Sequence, residues 1–479
     1  MRRPPGNRFL APAIVGAALG GLVIVVGPRF VGALSDNPPT AATLAKVGDT
    51  APAAAPVPVP ADPPAMDTAA SVPVPPAPAP PGGSAGDLLV VGSTVAAAKQ
   101  VRSRSHYTIL QIGDSHTAAD FFSGRVRDLL QQRFGPGGVY LPPGTPHAGI
   151  RSSAFAIKVS PGWDYQSMAK SDEDDRFWLT GYTADAATAE AEISFTAPKP
   201  VAFDAIDVSF LRQPGAGAVD ILLDGTVVDQ VALDGPAGEP LIHRLMPFRT
   251  SLDHVREIAI RTASAAPVSF SGVFIEQRLS GVSYLSVGFP GAKVSILKRM
   301  APKNLSDDIT RVSPDMVVLA FGTNEGFDDK LDLGEYRQTL TDIIHAIQAA
   351  RPKTTIVIVG PPPGARQASD CATAVSSCPG DKPVEKPTTE KAGAACWSQP
   401  PNLDQVRTIQ QAVATDTGAV FWDWSKVLPS ACDIEQGRLG SPALFGPDRV
   451  HLTLEGYRRT ADAFATFLTP LVRKGMAQR

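Results

Sequence analysis

Twice in this chain an apolar strand runs straight into a glycine-led turn that opens a helix. Residues 107–112 read Tyr-Thr-Ile-Leu-Gln-Ile and end in Gly113-Asp114-Ser115-His116-Thr117. A helical stripe of Phe121, Phe122, Val126, Leu129 and Leu130 follows. At 314–327, Pro314 opens the strand Met316–Phe321, and Gly322-Thr323-Asn324-Glu325 closes it. The grammar continues with a helix over 333–350, a strand over 354–359, a helix over 403–415, a strand over 419–423 and a last helix over 454–472. Strands without polar alternation, separated by amphipathic helices, predict a parallel sheet covered on both faces.

Between about 151 and 280 the pattern changes to short alternating runs. Ala191–Phe195, Ala205–Phe210, Val219–Leu223, Ile258–Arg261 and Val268–Glu276 are separated by turn signals such as Asp224-Gly225 and Asp234-Gly235-Pro236. This predicts an antiparallel, sandwich-type β module inserted into the α/β domain. A second insertion, 361–400, is rich in Pro, Ser and Gly and reads as irregular.

The amino-terminal residues belong to neither part. Residues 1–35 hold Arg2, Arg3, Arg8 and Arg29 and no acid, with 19 uncharged residues from Phe9 to Gly27. That run makes about 28 Å of helix at ~1.5 Å per residue, so it predicts an anchor with its amino terminus in the cytoplasm. A cleaved signal peptide ending near Ala33-Leu34-Ser35 is the alternative. Either exports everything after residue 35, and the anchor reading keeps the membrane as a partner. Asp36–Gly86 carries 14 prolines and 14 alanines and predicts an extended linker. Five segments result: anchor or signal 1–35, linker 36–86, first α/β part 87–150, β module 151–280 and second α/β part 281–479.

Composition excludes some classes. Against 44 basic residues stand 47 acidic ones, a net charge of −3 without a basic stripe, so no nucleic-acid partner is expected. Cys371, Cys378, Cys396 and Cys432 lack the short paired spacing of a zinc site. In an exported chain they read as structural disulfides, with Cys371–Cys378 and Cys396–Cys432 the preferred pairing of three. No Walker loop, dinucleotide-binding glycine turn or His-Glu-x-x-His occurs, and no cofactor or metal is expected.

Chemistry concentrates at strand ends. Ser115 opens a helix at the carboxyl end of a strand, where open α/β sheets place ligands. A serine there is a nucleophile only beside a base that a third group orients. Asp448-Arg449-Val450-His451 offers an acid and an imidazole three apart just before the last helix. Gly291, closing Gly288-Phe289-Pro290-Gly291, and Asn324 can supply an amide N–H and a side-chain donor. With the Ser115 N–H they would make an oxyanion hole. His116 reads as a polar helix-start residue and Asp114 as support for the turn. The acidic run Asp172–Asp175 and the aromatic residues Trp163, Tyr165, Trp178 and Tyr182 are weaker candidates for a calcium site and a sugar platform, better read as a solvated loop and as packing.

Taken in order, Gly113-Asp114-Ser115, Gly291, Gly322-Thr323-Asn324 and Asp448-x-x-His451 resemble the four blocks of the SGNH, or GDSL, hydrolase family. The likeness covers about 107–150 and 280–479. It implies a flavodoxin-like three-layer αβα fold, Ser115 as nucleophile, His451 as base, Asp448 as its partner, and Ser115, Gly291 and Asn324 as the oxyanion hole. Gly-Asp-Ser-His-Thr-Ala-Ala-Asp-Phe-Phe at 113–122, Phe-Gly-Thr-Asn-Glu at 321–325, Phe-Trp-Asp-Trp at 421–424 and Val-His-Leu-Thr-x-x-Gly-Tyr at 450–457 are further similar to the Gram-negative peptidoglycan O-acetylesterases. Those enzymes carry a β-rich, carbohydrate-module-like insert after the first block. The resemblance implies an esterase acting on an acetylated polysaccharide, with peptidoglycan expected. An O-acetyltransferase of an exported glycan using the same triad is the alternative, and a glycan-binding protein without activity is the third reading.

Overall fold

The computed structural model describes residues 88–93, 106–144, 149–170, 177–247, 255–277, 281–300, 302–367, 397–430 and 433–478. The expected anchor at 9–27, the linker 36–86, the acidic run 172–175 and all four cysteines lie outside them. Among the described residues no helix is long and apolar enough to cross a membrane.

One sheet is fully parallel. Its strands are β1 (His106–Gly113), β2 (Gly281–Gly288), β3 (Met316–Ala320), β4 (Thr355–Gly360) and β5 (Val420–Asp423). Their spatial order is β2-β1-β3-β4-β5. This is the flavodoxin-like doubly wound order, which places a topological switch point at the carboxyl ends of β1 and β3. The long helices are α1 (Phe121–Phe134), α2 (Pro302–Val312), α3 (Leu333–Ala350), α4 (Leu403–Thr417) and α5 (Leu454–Ala477).

Alternation along the strands explains the three layers. Leu110, Ile112, Leu285, Val287, Val317, Leu319, Ile356 and Ile358 face one core, shared with α2, α3 and α4. Tyr107, Ile109, Val282, Tyr284, Met316, Val318, Val357 and Val359 face the opposite core, shared with α1 and α5. Both faces are covered, so every position of β1 and β3 is buried.

The inserted segment forms two antiparallel sheets. One runs in the order Leu88–Ser93, Pro240–Pro247, Ala205–Leu211, Val268–Glu276, Tyr182–Ala186 and Trp163–Ser167. The other runs Thr226–Ala232, Ala218–Leu223, Val255–Thr262, Glu192–Val201 and Ala156–Val159. Side chains from both meet in one core, with Phe195 of the second sheet against Phe270 of the first at 6.3 Å between ring centroids.

The division of the chain near 150 needs correction. Leu88–Ser93 and Val139–Leu141, expected in the first α/β part, pair into the module instead, with Pro240–Pro247 and Val268–Glu276 respectively. For the second strand the reason is burial: Val139 and Leu141 place their side chains in the core of the module. Packing, the preferred reading of the module's aromatic residues, holds for Trp163 and Tyr182. Trp163 and Tyr182 are buried, and the Tyr182 hydroxyl donates to the Gly288 carbonyl at 3.0 Å, so neither presents a ring for stacking.

Candidate active site

Ser115 begins a short helical turn, Ser115–Ala118, at the end of β1. The Asp114 carboxylate caps it by accepting the His116 N–H at 3.0 Å. Close packing holds the turn against β2, because a Cβ on Gly288 would run into the Ala118 backbone. Serine therefore leaves the sheet at the switch point with its hydroxyl directed by a rigid turn.

The loop before α5 brings the other two residues. Asp448 Oδ1 accepts the backbone N–H of Val450 at 3.0 Å and of His451 at 2.9 Å, which folds the loop around its own carboxylate. Asp448 Oδ2 then lies 2.7 Å from His451 Nδ1, and His451 Nε2 lies 2.9 Å from Ser115 Oγ. With Nδ1–H donating to the carboxylate, Nε2 accepts the serine hydroxyl proton. Ser115 thus joins two residues more than 330 positions further along in one hydrogen-bonded chain.

The electrostatics agree with the geometry. The Asp448 hydrogen bond, opposed by partial burial, raises the His451 pKa above its ordinary 6.5. Burial works against the charge on Asp448. Even so, hydrogen bonds from the His451 ring and from the Val450 and His451 amides hold that carboxyl well below the usual range.

The two remaining expected residues sit at neighbouring strand ends. Gly291 follows β2 in a turn at φ +77°, with open space where a Cβ would stand. Asn324 follows β3, and its Nδ2 donates one hydrogen to the Ala292 carbonyl at 2.8 Å, leaving the second hydrogen for a ligand. Among the described residues neither the Ser115 nor the Gly291 N–H has a protein acceptor. Since β2, β1 and β3 are adjacent, the turns bearing Gly291, Ser115 and Asn324 lie side by side.

Some residues behave differently from their sequence appearance. His116 is buried, sharing a 2.9 Å hydrogen bond through Nδ1 with the Tyr457 hydroxyl of α5. Its ring lies 5.1 Å from that of His451 and 5.4 Å from that of Trp424. Burial, and then the nearby positive charge of His451, lower its pKa to about 3, so it is a neutral imidazole packed beside the His451 ring. Asp114, read as support for the turn, does cap it. Burial lifts its carboxyl to about 6, opposed chiefly by hydrogen bonds from His116 and Thr323.

Sequence reasoning passed over Glu325, which is buried next to Asn324 and whose Oε1 accepts the Val294 N–H at 2.7 Å. An acid in the helical turn that follows an apolar strand was the available signal. Behind His116 and His451, Phe122 stacks on Trp424 at 4.3 Å, and Trp422 meets Phe464 at 4.6 Å. The Trp422-Asp423-Trp424 run thus anchors α1 and α5 under the site. Among the described residues no cluster of His, Cys, Asp and Glu side chains could hold a metal ion.

Residues 266–459 match the model of the GDSL-like lipase/acylhydrolase family. That segment holds Gly291, Asn324, Asp448 and His451, whereas Ser115 precedes it across the inserted module. The α/β body of the chain has the SGNH hydrolase fold.

Among solved structures, the chain is similar to a peptidoglycan O-acetylesterase at 24% identity and a TM-score of 0.60, over 78% of this chain and 93% of that one. A mutant acetyl-xylooligosaccharide esterase from Geobacillus aligns at 18% identity and TM-score 0.27, over 40% and 72% of the two chains. A carbohydrate acetylesterase from Sinorhizobium meliloti aligns at 14% identity and TM-score 0.28, over 40% and 79%. No curated protein matches the sequence.

Proposed function

We propose that the protein is a serine esterase that removes O-acetyl groups from a polysaccharide, with peptidoglycan as the substrate. The hydrogen-bonded chain Ser115–His451–Asp448 carries this reading. The fold it shares with a solved peptidoglycan O-acetylesterase over most of both chains supports the choice of substrate.

In the reaction, the Ser115 hydroxyl attacks the acetyl carbonyl while His451 Nε2 takes its proton. Asp448 stabilises the resulting imidazolium through Nδ1. The carbonyl oxygen becomes an oxyanion, which the Ser115 and Gly291 N–H groups and the Asn324 amide stabilise. His451 returns the proton to the sugar oxygen as the C–O bond breaks, leaving acetyl-Ser115. A water, deprotonated by His451, then attacks the acetyl carbonyl, and acetate leaves as Ser115 recovers its proton. No step calls for a metal or a cofactor.

The β module is, on this reading, a sandwich of two sheets. The amino-terminal segment tethers the enzyme to the inner membrane and places it in the periplasm, where peptidoglycan is found. Incubating the full chain and its Ser115→Ala variant with O-acetylated peptidoglycan tests the proposal. Serine-dependent acetate release is expected. Equal release by both forms would contradict it.

A further inference from the structure

The turn after β2 and the turn after β3 each carry one oxyanion donor, Gly291 and Asn324, and neither donor is on a regular element of any length. Something must fix the gap between them, since a shift on the order of 1 Å at such a site costs about a hundredfold in rate. Two hydrogen bonds, the first partly buried and the second buried, do so. Asn324 Nδ2 donates to the Ala292 carbonyl at 2.8 Å, and Glu325 Oε1 accepts the Val294 N–H at 2.7 Å. Adjacent residues of one turn therefore grip both ends of Ala292–Val294 in the other. A partly exposed ion pair between Lys293 and Asp328 closes the same seam from outside.

From this geometry we infer that Glu325 is a positioning residue: it sets the spacing of the Gly291 and Asn324 donors and so the fit of the oxyanion, without touching substrate. The inference rests on the esterase reading of the site. Stability alone is a poor reason for the residue. A carboxyl buried to 1% exposure is costly unless its hydrogen bonds are met, and Glu325 Oε2 has no partner among the described residues. A leucine of similar volume would avoid that cost but could not accept the Val294 N–H. Burial, the largest influence, lifts the Glu325 carboxyl to about 7, opposed by hydrogen bonds from backbone N–H groups. The accepting oxygen works equally well in a neutral side chain, so glutamine should replace it.

The test measures kcat and KM separately for 4-nitrophenyl acetate hydrolysis by the full chain, alongside the thermal midpoint. The variants are Ser115→Ala, Glu325→Leu, Glu325→Gln, Asn324→Ala and the Asn324→Ala/Glu325→Leu pair. Glu325→Leu should lower kcat about 100-fold with KM within about 3-fold, the size of a lost or misplaced oxyanion donor. Glu325→Gln should recover kcat to within about 3-fold of wild type. The double variant should fall no more than about 3-fold below Asn324→Ala, because both changes damage one unit.

A folded Glu325→Leu enzyme with wild-type kcat would overturn the inference, as would losses that multiply in the double variant. A Glu325→Gln enzyme that melts like wild type yet is as slow as the leucine variant would also overturn it. Should the leucine variant fail to fold, Glu325→Asp carries the test. Its shorter arm withdraws from Val294, and about a 10-fold loss of kcat is expected, unchanged kcat being the contrary result. Wild-type turnover no greater than that of Ser115→Ala would instead refute the esterase reading, and the inference with it.

Discussion

Replacing Asp448 by asparagine changes one atom and should disable the base. The carboxylate makes three hydrogen bonds: Oδ1 to the Val450 and His451 amides, and Oδ2 to His451 Nδ1 at 2.7 Å. Asparagine keeps the first two through its carbonyl, so the loop should hold its shape. Its NH2 group, however, faces Nδ1 and favours the tautomer with the proton on Nε2. That proton then points at Ser115 Oγ, 2.9 Å away, and the imidazole can no longer accept from the serine.

A second loss is the charge itself. Opposite charges ~4 Å apart attract by about 1 kcal/mol in water and about 4 kcal/mol near a protein surface. Asp448 is half exposed at 51%, so solvent screening favours the lower part of that range. Charge alone is then worth about 10- to 100-fold, and the tautomer adds to it, where a buried triad aspartate loses about 10,000-fold in the same change. We expect kcat for 4-nitrophenyl acetate to fall about 100- to 1,000-fold, the thermal midpoint staying within a few degrees. A folded Asp448→Asn enzyme within about 3-fold of wild type would refute the triad reasoning.

Two other outcomes follow from the same structure. His451 must be neutral to take a proton, and its pKa is raised above 6.5 chiefly by Asp448. Turnover should therefore be lost as pH falls through a midpoint above that value, and Asp448→Asn should move the midpoint down; a limb at or below 6.5 in wild type would contradict this. Phe122 is fully buried and stacked on Trp424, so Phe122→Ala should destabilise the protein by about 3–5 kcal/mol in denaturant unfolding. A cost under ~1 kcal/mol would mean that the aromatic floor is not close packed.

What the sequence shows plainly is what depends on local pattern. Tyr107 through Ile112 alternates between two cores, and runs such as Met316–Ala320 are buried at every position, which reads directly as a parallel sheet. The hydrogen-bonded set Ser115, Asp448 and His451 is legible because hydroxyl, carboxylate and imidazole each stand at a particular kind of turn. Residues whose role depends on distant partners are not legible in that way. His116 looks like a polar helix start until Tyr457, 341 residues away, is seen to share its hydrogen bond. Glu325 looks like one more helix-opening acid until the Val294 amide, 31 residues back, is seen on its carboxylate. Leu88–Ser93 is a short apolar run whose partner, Pro240–Pro247, lies some 150 residues on, and nothing local says which sheet it joins.

Rapid quenching during turnover tests the central claim most directly. The full chain, mixed with 4-nitrophenyl acetate and stopped in acid within one turnover, should yield a peptide containing Ser115 that is heavier by one acetyl group. The Ser115→Ala chain should carry no such group and release no acetate above background. Turnover in the wild type with Ser115 unmodified, or undiminished turnover in the alanine variant, would contradict a covalent mechanism on this serine.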